Sequence, residues 1–115
     1  MKIRGIIWYN SCFENALEQL NEIIKSYERY NYNYINLRTS KFGTRVEFEN
    51  GDTWQIRRAT DNSRGCRCNI AYIERNIDYD TYITTVLPSL RPYPFAAFYL
   101  WGEGNLHITD EVKKD

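Results

Sequence analysis

The chain has no excess of either charge, no apolar run long enough to cross a membrane and no even set of cysteines. Each absence excludes a class of protein. Fifteen basic and fifteen acidic residues give a formal net charge of zero. Dedicated nucleic-acid binders are basic overall, so bulk attraction to a polyanion is not the expected main device. No stretch approaches the roughly 20 apolar residues of a spanning helix, and no membrane partner is expected. Met1-Lys2-Ile3-Arg4 leads into too few apolar residues for a secretion signal. The three cysteines, Cys12, Cys66 and Cys68, are odd in number, which predicts free thiols in a reducing, cytoplasmic setting. The single histidine is His107. Structural zinc wants a tight ligand pair on each side of the metal. Cys66 and Cys68 with isolated Cys12 and His107 do not supply that, and no metal or cofactor is expected. No internal repeat or linker interrupts the 115 residues, which predicts one domain over 1–115.

What is present is apolar and aromatic. Apolar residues make up 43%, including ten tyrosines and three tryptophans, enough to build a core rather than a disordered chain. Tyr and Trp pair apolar area with a polar handle and favour interfaces. An Asn-, Tyr- and Ile-rich composition also fits an AT-rich coding sequence.

Ile3 to Tyr9 is β-prone. Ser11 and Glu14 form a Ser-x-x-Glu capping box. Behind it Phe13, Ala16, Leu17, Leu20, Ile23, Ile24 and Tyr27 recur at helical spacing, predicting a helix over 12–29. Tyr34 to Leu37 is a short strand, broken by Lys41-Phe42-Gly43. Thr44–Glu49 and Thr53–Arg58 flank Asn50-Gly51, a strong hairpin signal. A three-residue loop at Asn50-Gly51-Asp52 pairs Phe48 with Trp54 and Val46 with Ile56, putting four apolar side chains on one face. Asn69 to Glu74 reads as a buried central strand. Asp78 starts a short helix that Pro88 ends, and Phe95 to Trp101 is a second buried strand.

Charge is unevenly spread. Segment 38–67 holds seven basic residues and four acids, a net of +3, and segment 68–115 holds four and seven, a net of −3. Arg57, Arg58, Arg64 and Arg67 cluster in the sequence and are candidate contacts for phosphates or an acidic protein surface. Arg57 and Arg58 cannot both face outward from one strand, so one is expected to pair with a carboxylate. The acids Asp78, Asp80, Glu103, Asp110 and Glu111 read as a solvated face.

In order, the strand Ile3–Tyr9, a helix from Cys12, the Asn50-Gly51 tip, Ser63-Arg64-Gly65, the apolar Ile70-Ala71-Tyr72-Ile73 and the acid Glu74 resemble the P-loop ATPases of phage large terminases and helicases. The resemblance implies a Mg²⁺-holding acid at Glu74. It also shows what is missing. The first loop, Tyr9-Asn10-Ser11-Cys12-Phe13-Glu14, has neither the glycines nor the lysine of a phosphate cradle. Arg75 stands where a water-activating acid belongs, and a cation cannot act as that base.

The expected fold is α/β: a small, largely parallel mixed sheet with a β-hairpin and a long amphipathic first helix, resembling a degenerate P-loop domain. The expected function is non-catalytic. The resemblance implies a phage- or prophage-type accessory protein, acting in the host cytoplasm by binding a protein partner such as a host defence factor. Nucleic-acid binding through the 57–67 arginines is the alternative.

Overall fold

The computed structural model describes residues 2–40, 43–60 and 66–108. The order of elements is β1 (Arg4–Tyr9), α1 (Phe13–Arg29), β2 (Tyr34–Ser40), β3 (Gly43–Phe48), β4 (Thr53–Arg58), β5 (Ile70–Glu74), α2 (Tyr79–Thr81), a π-helical stretch (Tyr82–Val86), α3 (Leu87–Leu90) and β6 (Ala97–Trp101). The strands form one six-stranded sheet in the order β2-β3-β4-β1-β5-β6. β1 runs parallel to β4 and to β5, and β5 parallel to β6, while β2-β3 and β3-β4 are antiparallel. This is the expected mixed, mostly parallel α/β architecture. The two apolar runs of the second half are neighbouring strands.

Each face of the sheet is covered over half its width. On one face α1 buries Ala16, Leu20 and Ile23 against Ile7, Ile56 and Val46. On the other, the turns from Tyr82 to Leu90 cover Ile6, Trp8, Ala71 and Ile73. β1 lies in the middle and contributes fully buried residues to both layers, Ile6 and Trp8 to one and Ile7 to the other. Gly5 is required there. A Cβ on it would sit 2.2 Å from the ring of Trp54, its partner on β4.

Four local expectations change. The α1 N-cap is Cys12, without a side-chain capping bond. Ser11 lies one residue too early and gives its hydroxyl proton to Glu74 instead. The hairpin loop does have three residues and one apolar face, but it is Glu49-Asn50-Gly51. Phe48 N–H donates to the Asp52 carbonyl, and Val46 faces Trp54. The shift keeps parity, so Val46, Phe48, Trp54 and Ile56 still share a buried face. Its cause is Asp52. That carboxylate accepts from Ile3 N–H at 2.9 Å and from the Tyr27 hydroxyl at 2.6 Å, so it must lie in the strand register rather than in the loop.

Pro88 does not end its helix, which runs on to Leu90. The π-helical turn, with Leu87 N–H donating to Tyr82 O, offsets the carbonyl that the proline ring would otherwise strike. Finally, the 95–101 run is an edge strand rather than a buried one. Tyr99 is half exposed and Phe95 is 81% exposed. Ser63-Arg64-Gly65 and Lys41-Phe42 lie outside the described residues.

Candidate functional site

The loop between β1 and α1 lies at the carboxyl ends of the parallel strands, where ligands of open α/β sheets usually bind. Here two of the loop's backbone donors are already taken. Glu74, the last residue of β5 and only 3% exposed, accepts from Asn10 N–H at 2.8 Å and Ser11 N–H at 2.9 Å through one carboxylate oxygen. Its other oxygen accepts from the Ser11 hydroxyl. A buried carboxylate thus receives two backbone N–H groups that a bound anion could otherwise use. Beside it is a cleft of about 460 Å³ lined by Glu18, Glu74, Glu103, Asn15, Gln19 and Trp101 among others, with no cation in the lining. A triphosphate there would meet carboxylates. Among the described residues no group of His, Cys, Asp and Glu is placed to hold a metal. Arg75 is not itself in that lining, but its guanidinium donates at 2.9 Å to the carbonyl of Gly102, which is.

The arginine cluster of the sequence does not stay together. Arg57 and Arg58 end β4, level with Trp8 and Tyr9 of β1. Arg67 precedes β5, whose first residue, Ile70, is level with Gly5. Because β4 and β5 both run parallel to β1, the chain between them has to return along the sheet. Arg58 and Arg67 therefore lie at opposite ends, and Arg64 falls outside the described residues. Arg57 and Arg58 face opposite sides, as strand alternation demands. Arg57 Nε donates to the Gln55 side-chain oxygen at 3.2 Å. Arg58 lies over the Tyr9 ring, 5.8 Å from its centroid.

The structure brings together a different set of residues. The face of β2, β3 and β4 turned away from α1 carries no helix among the described residues. Register puts Arg38 opposite Arg45 and Arg45 opposite Gln55, with Arg57 two residues further along the same side of β4. Arg38 and Arg45 are exposed, and neither has a carboxylate partner among the described residues. Sequence proximity hides this row; only the strand register exposes it.

The opposite side of the same edge is apolar and open. α1 ends in a Schellman motif: Tyr32 N–H donates to Tyr27 O and Asn31 N–H to Glu28 O, with Asn31 at φ 65°. That sharp stop withdraws α1 before it reaches β2. Tyr34 and Leu37, opposite buried Phe48 and Val46, carry the core's apolar face out to the rim. There they stay 47% and 44% exposed. Ile35, in a bulge between Tyr34 and Asn36, is 63% exposed, and Tyr30 in the preceding turn 75%. β2 is the terminal strand, so its outer backbone edge has no neighbour among the described strands. No described helix is long and apolar enough to cross a membrane. Compared with known proteins, the chain matches no family model, no curated protein and no solved structure.

Proposed function

We propose that the chain is a non-catalytic binding protein whose β2 rim docks a protein partner. The observation that carries this reading is the run Tyr30, Tyr32, Tyr34, Ile35 and Leu37, all exposed, from the turn that ends α1 onto the open edge of β2. Exposed large apolar side chains gathered at one rim mark interaction sites, and Tyr is enriched at protein interfaces. The junction supports the non-catalytic half of the reading, since Glu74 and the acidic cleft stand where a nucleotide phosphate would go. The resemblance to viral ATPase domains supports an accessory role of phage or prophage type, including the blocking of a host defence factor.

The test is affinity purification from cells that naturally carry the chain, run with the native protein, with Ile35→Glu/Leu37→Glu, and with Tyr99→Glu on the far edge. A protein retained by the native chain and by Tyr99→Glu, but lost with the β2 substitutions, is the expected result. Recovery that ignores the β2 substitutions, or recovery of nucleic acid instead of protein, would overturn it.

A further inference from the structure

We infer that the partner adds to β2 as an extended strand whose residues alternate apolar and acidic. This rests on the β2 rim being the docking site and adds the chemistry of its occupant. An open strand edge presents unpaired N–H and C=O groups, which an extended segment can satisfy in full. The bulge at Ile35 disturbs the start of β2, and regular pairing with β3 runs from Asn36 to Ser40. That stretch is the template for an added ladder.

Side chains of an added strand must alternate between the two faces of the sheet, and the two faces of β2 differ. On the α1 side a new side chain meets Leu37 beside buried Val46, an apolar neighbour. On the other side it meets Arg38, with Arg45 one strand behind. Like charges directly opposite each other on adjacent strands are destabilising. Arg38 and Arg45 hold that arrangement without a carboxylate partner among the described residues. A carboxylate on the incoming strand opposite Arg38 would lie about 5 Å away by strand spacing and offset half of the pair's charge. The same two arginines select against a second copy of this chain, which would bring an Arg38 of its own to the seam with its Arg45 one strand behind. Charge thus assigns the edge to an acidic partner strand rather than to self-pairing.

The experiment uses the native chain with two eight-residue peptides, one alternating Val and Glu and one alternating Val and Lys, and an eight-nucleotide thymidine oligomer as a polyanion of another class. Binding is read by fluorescence anisotropy and by amide deuterium exchange over residues 36–40. The Val–Glu peptide is expected to bind about tenfold more tightly than Val–Lys and to slow exchange of the β2 amides. In Arg38→Glu/Arg45→Glu the preference is expected to reverse. Equal binding of both peptides, no binding of either, or binding of the oligonucleotide alone would overturn the inference. If the native partner is nevertheless lost with Ile35→Glu/Leu37→Glu, the docking site stands and only the strand chemistry fails.

Discussion

Glu74 is the residue on which most depends. Its carboxylate, nearly sealed from solvent, organises two backbone N–H groups and one hydroxyl at the head of α1. Removing it in Glu74→Ala leaves those donors without their acceptor, at a cost of about 2–4 kcal/mol. Glu74→Gln keeps one acceptor oxygen but turns an N–H₂ group toward a donor, and is expected to fall between the two. Urea denaturation of the three proteins checks the order. Cys68 gives a second expectation, in pH. It is fully buried, and burial pushes its thiol from 9.0 up to about 11, partly offset by its contact with Ser89. The protonated form is favoured on folding, so its contribution is complete below pH 9 and is lost as pH rises from 9 through 11. Burial also raises the Tyr27 hydroxyl above its ordinary 10.0, with Asp52 adding to the shift, so its contribution is lost from pH 10 upward. Cys68→Ala should flatten the fall in stability between pH 9 and 11 by on the order of 3 kcal/mol, measured by urea unfolding across that range.

Among the elements, the β3–β4 hairpin has a turn that allows little substitution. Gly51 sits at φ +91°, where a Cβ is strained. Gly51→Ala should cost about 1–2 kcal/mol, seen as a lower denaturant midpoint with an unchanged slope. The same hairpin shows where sequence reading stops. Alternation of Val46 and Phe48 with Trp54 and Ile56 revealed the buried face, because parity survives any two-residue slip. The register itself depended on Asp52 finding Ile3 and Tyr27, which lie far away in the chain. Helix α1 was legible from its spacing. Its cap was not, since Ser11 serves Glu74 across 63 positions of sequence. Pro88 read as a stop because only the fold shows the π-helical turn that accommodates it.

For the molecule as a whole, element order and the adjacency of the two apolar runs were legible, since buried runs alternating with helices imply parallel neighbours. Which half of each face stays bare was not. Periodicity says that a helix has an apolar side, not which strands that side will cover. The bare halves hold the apolar rim at β2 and the Arg38–Arg45–Arg57 row. The arginines that lay close in sequence were parted by the parallel return from β4 to β5. Two features of the assembled molecule point the same way: a ligand-end junction filled by its own carboxylate, and an open strand edge with an apolar side and a basic side.

Isothermal titration of Mg-ATP into the native chain tests the first of these most directly. No saturable heat is expected up to about 1 mM nucleotide, because Glu74 holds two of the junction N–H groups and the adjoining cleft is lined with acids. Saturable binding tighter than that, abolished by Glu74→Ala, would show that the junction receives a nucleotide and would contradict a protein that works by docking alone.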